Sequence, residues 1–85
     1  MARYFMHLRD GSDETLDPEG TEHPSLDSLR KAVLEAARDL MCGDLRKGVL
    51  DLRYRVDAED SDGLVVYSLP FADAFEIVPQ TVAEA

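Results

Sequence analysis

Leu50-Asp51-Leu52-Arg53-Tyr54-Arg55-Val56-Asp57-Ala58-Glu59, followed by Asp60-Ser61-Asp62-Gly63 and then Leu64-Val65-Val66-Tyr67-Ser68-Leu69, is the stretch that decides the fold. Leu50, Leu52, Tyr54, Val56 and Ala58 alternate with Asp51, Arg53, Arg55, Asp57 and Glu59, which is the period of a strand with one apolar and one charged face. The acid-rich turn ending in Gly63 reverses the chain, and residues 64–69 return as the antiparallel partner. A three-residue loop with Gly63 left-handed would turn Leu64, Val66 and Ser68 to the core. An even-numbered loop would turn Val65, Tyr67 and Leu69 there, and this register is preferred because it buries no serine.

Working outward, Tyr4, Met6 and Leu8 alternate with Arg3, Phe5, His7 and Arg9, which predicts a first strand with one wholly apolar face. Residues 10–22 carry six acids with Gly11, Pro18 and Gly20, so they read as turns around a short extended piece near Thr15 and Leu16, making a first hairpin. Ser25 is a helix N-cap with Asp27 in the first turn. Leu26, Leu29, Val33, Ala36, Ala37 and Leu40 then form one helical stripe, and Cys42 faces away from it. The helix is expected to weaken at Gly43 and to end at Gly48 after Arg46 and Lys47. Phe71, Ala74, Phe75 and Val78 have the spacing of a short terminal helix. The expectation is an α+β domain over residues 1–78: an antiparallel sheet of three or four strands in the order β-β-α-β-β, one long helix on one face and a short C-terminal helix. Residues 79–85 read as a flexible tail.

Composition narrows the function. The chain has 85 residues, enough for one domain, with nine basic against eighteen acidic residues and a net charge of −9, which disfavours double-stranded nucleic acid and anionic lipid. Residues 25–48 hold five of the nine basic groups, so the helix carries the least acidic surface. Cys42 is alone, so no internal disulfide forms, and no apolar run approaches a membrane span or a secretory leader; a cytoplasmic home is expected. His7, His23 and Cys42 are the candidates for nucleophilic or acid–base work, but the pattern sets Cys42 and His7 on opposed sides. The acids between Asp57 and Gly63 do not have the spacing of a calcium loop. Phosphate-cradle, dinucleotide, hydrolase-elbow and zinc-helix motifs do not occur. No catalytic residue, metal or cofactor is therefore assigned, and the protein is not expected to be an enzyme.

The segments Arg3-Tyr4-Phe5-Met6-His7-Leu8-Arg9-Asp10-Gly11, Asp17-Pro18-Glu19-Gly20, Gly48-Val49-Leu50-Asp51-Leu52 and Asp60-Ser61-Asp62-Gly63-Leu64-Val65-Val66, with Pro70-Phe71 after them, give a further reading. In that order they resemble a family of short bacterial proteins known only as a domain of unknown function. The resemblance runs from residue 3 to about residue 77 and implies no established activity, cofactor or catalytic residue. The element order is also similar to that of antitoxin-like domains of the HicB type, which bind a toxin partner or carry a separate DNA-binding segment.

Two surfaces stand out as candidates. If Tyr4, Met6 and Leu8 face the helix, then Arg3, Phe5, His7, Arg9, Arg53 and Arg55 emerge together on the other face of the sheet. Such a face suits an anionic small ligand or single-stranded nucleic acid, unless Asp51, Asp57 and Glu59 neutralise the arginines across strands. An apolar strip of Phe5, His7, Val66 and Leu64 on the open sheet face, an edge strand, or the terminal Phe71 and Phe75 would instead serve a homodimer or a protein partner. The leading expectation is a noncatalytic interaction or regulatory module. The ligand-binding face comes second, and a small enzyme using His7 comes last.

Overall fold

The computed structural model describes residues 1–81. Its elements are β1 (Ala2–Arg9), β2 (Glu14–Thr15), β3 (Thr21–His23), α1 (Leu26–Lys47), β4 (Arg55–Glu59) and β5 (Val65–Pro70), followed by a single 3₁₀ turn at Phe71–Asp73. The fold is α+β, with one antiparallel five-stranded sheet and one long helix across it. The path runs β2-β1-β4-β5, and β3 also pairs with β1.

The first hairpin has a return strand in two pieces. β2 pairs with the end of β1 (Leu8 with Thr15) and β3 with its beginning (Tyr4 with Thr21). Between them residues 16–20 leave the ladder, and the Asp17 carboxylate takes the missing strand's place by accepting the Met6 N–H at 3.2 Å. The same carboxylate accepts the Glu19 and Gly20 amides at 3.2 and 3.1 Å, which ties the excursion to itself. Gly20 lets the chain rejoin: its φ is +72°, and a Cβ there would stand 2.7 Å from the Tyr4 carbonyl oxygen.

Ser25 caps α1, accepting the Ser28 N–H on its hydroxyl at 3.1 Å. Gly48, at φ +93°, ends the helix: its N–H donates to the Leu45 carbonyl and that of Val49 to the Asp44 carbonyl. The expected weakening at Gly43 does not occur, because the helix continues unbroken to Lys47. The buried stripe is Leu29, Val33, Ala37 and Met41, a steady four-residue step. Leu26 and Leu40, placed in the stripe by the sequence reading, are exposed. The next step of the stripe, Leu45, is 60 % exposed, so α1, about 33 Å long, overruns the sheet that covers its first turns.

The core joins that stripe to Val56, Ala58, Leu69, Phe71 and Ala74, with Tyr4, Met6, Leu8, Tyr54 and Tyr67 packed around it. Phe71, Leu29 and Val33 are the largest wholly buried side chains, each contributing roughly 1.5–3 kcal/mol by leaving water.

The second hairpin combines the two alternatives. The loop has three residues, with Gly63 left-handed at φ +82° and Asp60 pairing with Leu64, yet Tyr67 and Leu69 face the core. A β-bulge reconciles them: Ala58 pairs with Tyr67 but Glu59 pairs with Val65, so Val66 is the extra residue. Val66 packs against the core and Val65, expected there, is exposed.

Three further expectations are corrected. The strand predicted from Leu50 begins only at Arg55, because Asp51 folds the chain into a local turn by accepting the Arg53 N–H at 3.0 Å. Leu52 is consequently exposed. The terminal helix is only the 3₁₀ turn, and the sheet, expected with three or four strands, has five. Of the expected tail 79–85, residues 82–85 lie outside the described residues. Among the described residues no helix is long and apolar enough to cross a membrane.

Candidate functional site

The face of the sheet turned away from α1 carries the concentrated polar chemistry. Backbone alternation puts Phe5, His7 and Arg9 of β1 there, opposite Glu59, Asp57 and Arg55 of β4. Arg9 and Arg55 are thus direct cross-strand neighbours of like charge, a pairing that is unfavourable unless anions stand between them.

Asp57 supplies that anion. Its carboxylate accepts from Arg9 Nη1 at 3.0 Å, from Arg55 Nε at 3.1 Å and from the Ser68 hydroxyl at 2.6 Å, and the residue is only 3 % exposed. Burial pushes its pKa up, but the bonds from Ser68, Arg9 and Arg55 outweigh burial and hold it below the usual carboxylate range. Arg9 is shared among three acids: Nε to Glu14 at 2.9 Å, and Nη1 to both Asp57 and Glu59, the latter at 2.7 Å. The hydrogen bonds it donates to Glu14, Glu59 and Asp57 raise the Arg9 pKa, so its charge is permanent.

His7 is hydrogen-bonded at one ring nitrogen and faces a carboxylate with the other. The Asp17 N–H donates to Nδ1 at 3.0 Å, which puts the proton of the neutral ring on Nε2, and Nε2 faces Glu59 Oε1 at 3.4 Å. Residues 16–20 therefore lie over His7, which is 8 % exposed. Phe5 is stacked on the imidazole at 6.4 Å between centroids. The Asp17 carboxyl is raised by burial and lowered more strongly by the amides of Gly20, Met6 and Glu19, so it also sits below its ordinary range.

The six residues predicted to share this face are thus divided. Phe5, His7, Arg9 and Arg55 come together there. Arg3 lies at the β3 end, bonded to the Glu19 carbonyl at 2.7 Å and to Glu22. Arg53 is absent from the face, because it precedes β4 and its guanidinium grips Asp51 at 3.0 and 2.8 Å. That grip, the largest influence, draws the Asp51 carboxyl down to about 2.

The anticipated apolar strip does not form. His7 is covered by residues 16–20, and Val66 packs against the core. Phe71 is 1 % exposed and its ring lies 6.0 Å from that of Tyr54, so it is a core residue and offers no partner a surface. Phe75 is half-buried and lines a groove together with Met41, Cys42, Leu45 and Leu50.

The network's acids were visible as neutralisers of the arginines, but Glu14, Ser68 and Asp17 were not read as its members. The signal for Asp17 was present: Asp-Pro-Glu-Gly is a sequence in which an aspartate caps its own turn. A shallow depression beside the network is lined by Arg9, Arg55, Ser12, Asp13 and Glu14, and so mixes both signs of charge. Among the described residues no three His, Cys, Asp or Glu side chains converge as metal ligands.

No curated protein and no solved structure matches this chain. A family match covers residues 3–72, which takes in the helix and, but for Ala2 at the start of β1, all five strands. On that match the chain belongs to the family described as Domain of unknown function (DUF6894).

Proposed function

We propose that the protein is a noncatalytic interaction or regulatory module that associates with a protein, a second copy of itself included. The observation that carries this reading is the mutual satisfaction of the charged sheet face. Asp57 and Glu59 occupy Arg9, Asp57 occupies Arg55, and His7 accepts the Asp17 N–H on Nδ1 while its Nε2 faces the Glu59 carboxylate. A general base needs a ring nitrogen free for substrate, and an anion-binding platform needs arginines that are not already neutralised. Neither is offered here. The resemblance of the expected β-β-α-β-β order to antitoxin-like domains of the HicB type, which bind a toxin partner or carry a separate DNA-binding segment, fits the same reading.

Light scattering over a concentration series, with a nucleotide and an oligothymidylate as anionic probes at about 0.15 M salt, tests it. The apparent mass is expected to rise with concentration while the amide resonances of His7, Arg9 and Arg55 ignore both probes. A one-chain mass at every concentration, together with probe-dependent shifts at those arginines, would replace the interaction module with a binder of anionic ligands.

A further inference from the structure

We infer that two copies of this chain pair antiparallel along the free edge of β5, extending the sheet across a two-fold axis; this rests on the self-association reading above. β5 is the last strand of the path β2-β1-β4-β5, and among the described residues no strand lies on its outer side. The Phe71 N–H donates to the Tyr54 carbonyl at 3.0 Å, which fixes the phase of the ladder. Leu69 and Tyr67 therefore turn their backbone groups toward β4, and Ser68 and the Pro70 carbonyl turn theirs outward.

Charge selects the occupant. Residues 63–72 form the longest uncharged run in a chain of net charge −9, and this run contains the whole edge strand. Edge strands are ordinarily guarded by charged side chains, and this one has none. Two equally acidic copies repel wherever their charges meet, so the contact that costs least electrostatically joins one neutral strip to the other. Pairing centred on Ser68 sets Tyr67 of one copy beside Leu69 of the other, an aromatic–aliphatic cross-strand pair.

The ends of the strand define the extent. The bulge at Val66 and the missing N–H of Pro70 confine regular pairing to the middle of β5, so the contact is short and the dimer weak. The opposite edge of the sheet is split into β2 and β3 and interrupted at residues 16–20, so each copy has one open edge and assembly stops at two.

Hydrogen exchange of the Ser68 amide, followed beside light scattering from about 10 μM to 1 mM, tests this. A mass that doubles while Ser68 becomes protected supports it. Ser68→Lys, which opposes two ammonium groups at the axis, and Val65→Lys, at an exposed position that spares the core, are each expected to raise the dissociation constant about fivefold or more. A mass that doubles with Ser68 still unprotected and both variants silent would overturn the β5 assignment and leave self-association through another surface. A one-chain mass throughout would overturn self-association itself. Growth past two copies would overturn the closed pairing.

Discussion

The two faces of the sheet solve the same problem with opposite materials. Toward α1, Val56, Ala58 and Leu69 meet Leu29, Val33 and Ala37 in contacts that need no direction. On the other face, Arg9, Arg55, Asp57, Glu59 and Ser68 are fixed by hydrogen bonds that tolerate little displacement. The apolar layer is held by area removed from water; the polar layer depends on every partner being present. Damage should therefore grade with volume on one face and with unpaired charge on the other.

Removing volume gives the largest effect. Phe71→Ala is expected to cost about 3–5 kcal/mol in urea denaturation, because the ring is enclosed and the backbone around it is tied to Tyr54. On the polar face Asp57→Ala should cost about 2–3 kcal/mol, since it takes the carboxylate from Arg55 and the Ser68 hydroxyl and leaves Arg9, which keeps Glu14 and Glu59, opposite a like charge with less anion between them. Glu14→Ala, which removes an exposed partner of the same Arg9, should cost less than about 1 kcal/mol. If the two acids proved equal, the contrast between buried and exposed pairing would fail. Asp17→Ala is expected to cost about 1–3 kcal/mol and to unprotect the Met6 amide in hydrogen exchange, with Leu29 unaffected.

Acid titration separates the faces again. Asp57 and Asp17 are both held below the ordinary carboxylate range in the folded chain, so the unfolded chain binds protons first as pH falls. Their contribution is complete above the unfolded value of about 3.9 and drains away as pH drops through the lower folded values. Stability measured from pH 6 downward should therefore hold to about pH 4 and then fall, and Asp57→Asn should flatten that fall. The smallest effect is a gain. Gly43 has open space where a Cβ would sit, so Gly43→Ala should add up to about 1 kcal/mol of helix stability.

The apolar layer was legible in the sequence because its signal is periodic. Tyr4, Met6 and Leu8, the Leu29–Val33–Ala37 steps and the Ser25 and Gly48 caps all follow from spacing and local chemistry. What escaped depended on single hydrogen bonds. Asp51 bending the chain before Arg55 cut the predicted strand in half and carried Arg53 off the face. Residues 16–20 covering His7 required the distant amide of Met6, which no local pattern announces. The bulge at Val66 admitted both a left-handed Gly63 and a buried Leu69, outcomes that strict alternation treats as exclusive. The polar face was found as a set of residues, but their pairing is a property of cross-strand register.

The helix that outruns its sheet divides the chain's cooperativity unevenly. Past Met41 the turns carrying Gly43 and Leu45 have little beneath them, so their backbone can open and close without disturbing the interior. Amide exchange along α1 should accordingly read as a gradient, slow over Leu29 to Ala37 and fast toward Lys47, with the terminal turns behaving as a fringe that melts before the body it is attached to.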